Sequence, residues 1–284
     1  MGAKVVVGVD GSERSGDALD WAADAAVSRG CVLEVVHAVG QPAWGFDTDL
    51  DHVLEQQGKN LLEASAERAE RALPGLRVRA VLSTETPGRA LLARSQDAAL
   101  LVAGSRRLDV VAGGTTGSLA YRLAAAARCP VALVPAGRGP AARTVVVGVD
   151  GSADARAALE VAVAEAELAG ARVEVVRVWD APALHESAGY VRHGLADAFR
   201  ESESSALREL LIPVRRAHPG VVLTQRVVRG APARALLDAA RDAELLVVGA
   251  HGGSSVDASV LGAVSHTVVL QAPCPVVVAR AARP

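Results

Sequence analysis

Three glycines in the second half of the chain follow a run of residues that is typical of a buried strand. The run covers residues 245–248, and Gly249, Gly252 and Gly262 come after it, with nine residues between the last two. Glycine lets the main chain approach an anion closely, and the free N–H groups at a helix start point towards that anion. A strand, a glycine-rich loop and the start of a helix therefore indicate a phosphate-binding device.

A second copy of this device lies earlier in the chain, after the apolar residues 100–103. Gly104 corresponds to Gly249, and Gly117 corresponds to Gly262. A single spacing of this kind is a weak signal, because glycines also mark plain turns. Its return in register behind another apolar strand makes phosphate binding the better interpretation.

The whole chain is an internal repeat. Residues 5–12 return unchanged as residues 145–152, at an offset of 140, and the glycine loops correspond at an offset of 145. With 284 residues the chain has room for two domains, each large enough to fold alone. We predict a first domain at residues 1–136, a linker rich in proline and glycine at residues 137–143, and a second domain at residues 144–284.

Apolar strand patterns alternate with amphipathic helical patterns within each copy. This alternation predicts the α/β fold class, with two tandem Rossmann-like domains that each contain a five-stranded parallel sheet and helices on both faces. In the first copy the predicted strands are residues 4–9, 32–39, 76–83, 99–103 and 130–134, and the predicted helices after the first are residues 50–73, 87–94 and 117–127.

Two aspartates, Asp10 and Asp150, end the first predicted strand of each copy. Ligands of parallel sheets bind outside the carboxyl ends of the strands, so both aspartates lie at the same edge as the glycine loops. A carboxylate at this place can bind a ribose hydroxyl or the edge of a base. The alternative is a turn aspartate that only caps the following helix.

The composition excludes several classes of function. The formal net charge of −2 gives no reason to expect a nucleic-acid or membrane partner, and no apolar run approaches transmembrane length. We interpret Cys31, Cys129 and Cys274 as small apolar residues rather than as a source of a redox pair. We expect a cytoplasmic protein.

Few other residues point to catalysis. The sequence has no Walker-type phosphate loop, no Gly-x-Gly-x-x-Gly after the first strand and no Gly-x-Ser-x-Gly. His251 borders the second glycine loop, and we interpret it as a solvated histidine. The acidic residues 47–51 lack the glycine and the distal glutamate of a calcium loop, so we interpret them as a solvated helix start. We predict no metal site, no positioned general base and at most slow turnover.

These residues together resemble the universal stress protein family, in the tandem form that is common in actinobacteria, and the resemblance covers both copies. The family pattern is glycine, two residues, glycine, nine residues, glycine and then serine, threonine or asparagine. Nucleotide-binding members of the family hold ATP at this pattern. Arg107 replaces the second glycine in the first copy, and Ala263 replaces the hydroxyl-bearing residue in the second copy.

The resemblance implies a regulatory or stress-response protein with an adenine nucleotide α-hydrolase-like fold. It implies one ATP per domain, with Mg²⁺ carried on the phosphates, the adenine beside Ala38 or Val178 and the phosphates at the glycine loops. The implied nucleotide-binding residues are Gly8, Asp10, Ala38, Gly104, Arg107, Gly117 and Ser118 in the first copy, and Gly148, Asp150, Val178, Gly249, Gly252, Gly262, Ala263 and Ser265 in the second.

We expect the last strands, residues 131–134 and 276–279, to pair and to join the two domains, and the family implies a homodimer. The first alternative is a nucleotide-free interaction module of the same family, which Arg107 and Ala263 favour. The second is an enzyme, either a slow ATPase or a nucleotidyl transferase.

Overall fold

The computed structural model describes residues 3–40, 48–105, 119–137, 142–179, 192–253 and 260–281. In chain order the strands are β1 (Lys4–Gly8), β2 (Val32–Ala38), β3 (Val78–Ser83), β4 (Leu100–Ser105), β5 (Val131–Pro135), β6 (Ala142–Gly148), β7 (Arg172–Trp179), β8 (Leu223–Arg229), β9 (Ala243–Gly249) and β10 (Val276–Ala279). The helices are α1 (Glu13–Ser28), α2 (Thr48–Ala72), α3 (Pro87–Arg94), α4 (Leu119–Ala126), α5 (Ala153–Ala169), α6 (Arg192–Ala217), α7 (Pro232–Ala239) and α8 (Ala263–Gln271).

In the described parts of the chain, ten strands form one sheet, in the order β3-β2-β1-β4-β5-β10-β9-β6-β7-β8. Neighbouring strands within each half are parallel. At the centre β5 and β10 are antiparallel, and Val277 lies opposite Ala132. The predicted α/β class, with tandem domains built on parallel sheets, is confirmed.

Alternate residues of the strands face two different layers of helices. In β1, Val5 and Val7 belong to the core that includes α1, α2, α5 and α6, whereas Val6 belongs to the core that includes α3, α4, α7 and α8. All three side chains are 0% exposed. Strands buried on both faces explain why the sequence shows continuous apolar runs instead of an apolar–polar alternation.

The turn after the first strand of each half orients the following helix. Ser12 and Ser152 are the N-caps of α1 and α5, and their hydroxyl groups accept hydrogen bonds from the backbone N–H groups of Ser15 and Ala155. The glycine before each of these serines has a positive φ, which is 80° at Gly11 and 90° at Gly151. Only glycine adopts such angles at little cost, so the Asp-Gly-Ser sequence is a turn in which each residue has a separate role.

Two of the predicted boundaries differ from the structure for identifiable local reasons. The linker was predicted to extend to residue 143, but β6 begins at Ala142, whose N–H donates to the Asp242 carbonyl at 2.8 Å. The third strand was predicted from residue 76, but β3 begins at Val78, because a turn with a φ of 93° at Gly75 precedes it.

Side chains as well as strands connect the two halves. Nη2 of Arg280, just after β10, donates to the Ala124 carbonyl at 3.0 Å and also to the next carbonyl at the end of α4. A guanidinium at the C-terminus of a helix satisfies free carbonyls and complements the helix dipole. The rings of Tyr121 in α4 and His266 in α8 meet edge to face, with centroids 5.0 Å apart.

No helix in the described ranges is both long and apolar enough to cross a membrane.

The thiol of Cys129 is buried, and burial raises its pKa to about 11. The reactive thiolate is therefore a minor form of this cysteine near neutral pH.

The junction between β5 and β10 provides a test of the fold. Leu133 is 1% exposed in β5 and lies opposite Val276. We expect Leu133→Ala to lower the free energy of unfolding by about 2–5 kcal/mol, because it opens a cavity at the centre of the sheet. Leu168→Ala, at a position that is 43% exposed, serves as the control and should change stability by less than about 0.5 kcal/mol. Equal losses in the two variants, measured by urea denaturation, would contradict a packed core at this junction.

Candidate functional site

A cavity of about 630 Å³ lies at the carboxyl ends of β6 and β9 in the second domain. The residues predicted for the site of this domain come together here. Those among its lining residues are Gly148, Asp150, Val178, Gly249, Gly252, Gly262, Ala263 and Ser265. Residues that are up to 117 positions apart in the chain meet at this one edge of the sheet, as expected for parallel strands.

The wall of the cavity is divided into an apolar part and a polar part. Val176, Val178, Pro232 and Leu236 form an apolar surface from the end of β7 and from α7. The described parts of the glycine loop and the start of α8 contribute glycines, His251, Ser265 and also apolar residues such as Leu261. This division suits a ligand that has one flat apolar end and one polar end.

Asp150 connects the first-strand turn to the glycine loop. Its Oδ1 accepts the N–H of Ser152 at 2.9 Å, and its Oδ2 accepts the N–H of Gly253 at 3.0 Å. A Cβ on residue 252 would lie 2.7 Å from this Oδ2, which explains the glycine at Gly252. The motif glycine therefore makes room for a carboxylate of the protein itself.

The pKa of Asp150 reflects two opposed effects. Burial of the carboxyl raises the pKa, but hydrogen bonds from Ser152 and Gly253 together outweigh it, so the pKa lies below its ordinary value. Asp150 is consequently ionised at neutral pH. A carboxylate in this state accepts hydrogen bonds from hydroxyl or amino groups of a ligand.

Gly249 allows the first turn of α5 to pack against the end of β9. A Cβ at this position would lie 2.8 Å from the carbonyl carbon of Asp154 and 3.0 Å from the nitrogen of Ala155. In the first domain a Cβ on Gly104 would lie 2.8 Å from the carbonyl oxygen of Arg14. Both contacts are with backbone atoms, which cannot move aside easily. The sequence interpretation explained these glycines by the approach of an anion, and helix packing is an additional reason for them.

The start of α8 has no side-chain cap among the described residues. Gly262 is the N-cap, and its own N–H donates to the Ala250 carbonyl at 2.9 Å. The helix begins at Ala263, so its first-turn N–H groups have no acceptor within the helix. The hydroxyl of Ser265 donates to the Gly249 carbonyl at 2.5 Å. Ser265 thus fixes α8 to the end of β9.

His251 is not the solvated loop histidine that the sequence suggested. Its side chain is only 15% exposed, and its Nδ1 lies 2.8 Å from Oδ2 of Asp154. The same oxygen accepts the backbone N–H of His251 at 3.0 Å. The sequence did contain a signal for this pair. The first copy has Arg14 at the position of Asp154 and Arg106 at the position of His251, so both members of the pair differ together between the copies.

The first domain repeats part of this arrangement. Oδ1 of Asp10 accepts hydrogen bonds from the backbone N–H of Ser12 at 3.0 Å and from its hydroxyl at 2.5 Å. Burial raises the pKa of Asp10, but hydrogen bonds from Ser12 and Ser15 and the charge of Arg14 lower it below its ordinary value. Ala38 is the last residue of β2.

Other predicted residues have structural explanations or lie outside the described residues. A Cβ on Gly8 or Gly148 would lie 2.8 Å from the side chain of a leucine in α3 or α7, so these glycines permit close helix packing. Arg107, Gly117 and Ser118 lie outside the described residues, as does the first residue of the acidic segment 47–51. In the parts of the chain that the structure covers, no three His, Cys, Asp or Glu side chains are grouped so that they could hold a metal ion.

The fold is that of a tandem α/β protein, with a cavity at the carboxyl ends of the strands of its second domain. The family model of the universal stress proteins matches residues 1–135 and 141–280. A universal stress protein of Mycobacterium tuberculosis is 32% identical over 288 residues, which cover 97% of this chain and 96% of that protein. This chain therefore belongs to the universal stress protein family.

The chain is similar to solved structures, and one that matches over almost the whole chain shows the same fold. A crystal structure of a universal stress protein from Archaeoglobus fulgidus superimposes with a TM-score of 0.73 at 19% sequence identity and covers 98% of this chain and 96% of that one. Another is a crystal structure of a universal stress protein in complex with cAMP, with a TM-score of 0.39 and 26% identity, which covers 47% of this chain and 97% of that one.

The contact of Gly249 with α5 leads to a stability prediction. Gly249→Ala should lower the free energy of unfolding by about 1–3 kcal/mol, because the new Cβ meets backbone atoms at 2.8 Å. Gly253→Ala is a matched control in the same loop, since nothing lies within 4 Å of its new Cβ, and it should cost less than about 0.5 kcal/mol. Thermal or urea unfolding of the two variants measures the difference, and similar costs would show that the approach of α5 is not tight.

The hydrogen bonds of Asp150 lead to a pH prediction. Its pKa is lowered in the folded state, so the ionised carboxylate stabilises the protein above the ordinary aspartate pKa of about 3.9 and loses this effect as the pH falls through the folded value. Asp150→Asn should therefore be less stable than wild type at pH 7, and the difference should shrink below about pH 4. Urea denaturation between pH 2.5 and 7 measures this. Asp197→Asn, at a side chain that is 75% exposed, should show no comparable change.

Proposed function

We propose that this chain is an ATP-binding universal stress protein with a regulatory role in the stress response, and that each domain has one ATP site. The observation that supports this most directly is the second-domain cavity. Its volume of about 630 Å³ lies within the range of roughly 300–1,000 Å³ that small-molecule sites occupy. Its lining includes the second-copy residues that the family pattern assigns to the nucleotide.

In this proposal the two ends of ATP bind to the two parts of the cavity wall. The adenine packs against Val176, Val178 and Leu236, and the carboxylate of Asp150 accepts a hydrogen bond from the ribose or the base. The phosphates accept hydrogen bonds from the free N–H groups at the start of α8, where the helix dipole also favours negative charge. Mg²⁺ arrives on the phosphates. Ala263 lacks a hydroxyl, which removes one donor without closing the site.

The two sites are proposed to differ in affinity. The first domain has Arg107 in place of the second motif glycine. We expect a guanidinium at this place to pair with a phosphate oxygen and to supply charge at a position where the second domain has Gly252. The backbone N–H of Ser12 donates to Oδ1 of Asp10, as that of Ser152 donates to Oδ1 of Asp150. We expect binding at both sites with unequal dissociation constants.

The proposed role is regulation rather than turnover. ATP would favour one arrangement of the glycine loops, and such a shift requires that the nucleotide bind the two arrangements with different affinity. We further propose that the domains at residues 1–136 and 144–284 act as one cytoplasmic unit through the antiparallel pairing of β5 with β10, and that the chain forms a homodimer.

A nucleotide-free interaction module is the second candidate. The loss of a glycine at Arg107 and of a hydroxyl at Ala263 favours this candidate, because each change weakens the nucleotide pattern in one domain. An enzyme is the third candidate, and the histidine held by Asp154 beside the cavity favours it. Direct detection of nucleotide separates these possibilities.

The test is to denature freshly purified protein by heat and to identify the released nucleotide by chromatography. The proposal predicts about two ATP per chain, unhydrolysed. ADP or AMP would favour the enzyme. No nucleotide, together with no binding of ATP and Mg²⁺ in calorimetry, would leave the interaction module. A parallel titration with cAMP shows whether the sites prefer the triphosphate.

Gly252→Ala tests the second site by itself. Its new Cβ would lie 2.7 Å from Oδ2 of Asp150 and would displace the carboxylate that holds the loop. The added methyl group brings no charge that could pair with a phosphate, unlike Arg107 at the corresponding position of the first domain. We therefore expect this variant to keep the first-domain ATP and to lose the second, so that the count falls from two to one. Gly253→Ala is the control and should keep both. An unchanged count in Gly252→Ala would contradict the assignment of the second site to this cavity.

A further inference from the structure

The pair formed by His251 and Asp154 is held at both ends, and the function proposed above does not use it. Oδ2 of Asp154 accepts the backbone N–H of His251 and faces its Nδ1, and Oδ1 accepts the N–H of Ala281 at 2.9 Å. Because both carboxylate oxygens are engaged, neither the carboxylate nor the imidazole can rotate freely. The imidazole is therefore pre-organised before any ligand arrives.

One atom of this pair has no partner. Nε2 of His251 is buried and makes no hydrogen bond to any residue that the structure describes. Buried polar atoms nearly always have a partner, so an unpartnered one needs an explanation. His251 lines the cavity beside Gly252 and Gly262. Because Nε2 is closed to solvent, a ligand oxygen that supplies the missing partner requires a small shift of the residues around it.

We propose that His251 is a phosphate-binding residue of the second site and that Asp154 is its positioning residue. This inference rests on the proposed function. With Nδ1–H donated to Asp154, protonation of the ring places the second proton on Nε2, where it donates to a phosphate oxygen. The imidazolium then lies between two anions, the carboxylate and the phosphate, and hydrogen bonds to a charged group are the stronger kind.

The charges around His251 are compatible with this role. The carboxylate of Asp154 contacts it from α5, and Asp150 lines the cavity from the end of β6. Ala281, just after β10, contacts Asp154 through its backbone N–H. The charged residue next to it, Arg280, directs its Nη2 to carbonyl groups of α4. The lining residues contributed by α7 and α8 are uncharged.

The first domain cannot use the same device. Arg14 occupies the position of Asp154, and Arg106 occupies the position of His251. Arginine keeps its charge at every physiological pH, whereas histidine changes charge between pH 5 and 8. Binding of nucleotide phosphate to the second site should consequently depend on pH in a way that binding to the first site does not.

The experiment is calorimetric titration of the full chain with ATP and with adenosine between pH 6 and 8.5. The second-site component is the one that is absent in Gly252→Ala. We expect His251→Gln to weaken this component at pH 6 by roughly tenfold to a hundredfold and to leave adenosine binding unchanged. Wild-type affinity for ATP should fall as the pH rises, and His251→Gln should lose that part of the pH dependence. Titration of the ATP phosphates is common to both proteins and cancels in the comparison.

Two further variants separate positioning from general damage. Asp154→Asn should weaken ATP binding and shift the pH profile, again without an effect on adenosine. His218→Gln is the matched control, because Nδ1 of His218 also lies 2.8 Å from a carboxylate, that of Glu167, at a place away from the cavity. It should behave like wild type.

The possible outcomes are distinguishable. If ATP binds equally well to wild type and to His251→Gln over the whole pH range, the inference is wrong and the proposed function stands. If wild type binds neither ATP nor adenosine, both are wrong. Should His251→Gln fail to fold, ¹⁵N NMR of the wild-type imidazole decides, because addition of ATP must shift the Nε2 signal, and an unchanged signal overturns the inference.

Discussion

The cavity of the second domain depends on one contact, the close approach of the first turn of α5 to the end of β9. Only a residue without a Cβ permits it, and Gly249 supplies that residue. The approach places two carboxylates, one from the turn between β6 and α5 and one from the first turn of α5, beside the loop that follows β9. Asp150 accepts the N–H of Gly253, and Asp154 accepts that of His251. The described start of the loop, residues 251–253, is therefore held by charged acceptors on the neighbouring turn and helix.

The two domains share a sheet, and this shared sheet sets their relative position. A five-stranded parallel sheet has a free edge at its last strand, and such edges invite unwanted pairing. Here the last strands of the two halves are hydrogen-bonded to each other, and both layers of helices continue across the junction. The remaining edges are β3 and β8, at the outer ends.

Sequence reasoning was most successful where a regular pattern determined the structure. The α/β class and the duplication followed from apolar periodicity and from the internal repeat. The second-copy residues that line the cavity were named from the glycine spacing together with the resemblance to the family. Contacts between distant segments were not predictable in this way. His251 and Asp154 are 97 residues apart, and only the sheet order brings them together. The early start of β6 at Ala142 likewise depends on a partner, the Asp242 carbonyl, that no local pattern indicates.

The central junction is nearly symmetric, and its departures from symmetry bear on how the sequences of the two halves can diverge. Tyr121 and His266 occupy corresponding positions and contact each other, so a pseudo-twofold axis passes between them. In an isologous dimer of identical chains, each surface must fit a copy of itself, and a change on one side appears on both. Two domains in one polypeptide are free of this restriction. Arg280 binds the end of α4, while proline stands at its counterpart, Pro135. One half of the molecule can therefore acquire a chemical property that the other half never has.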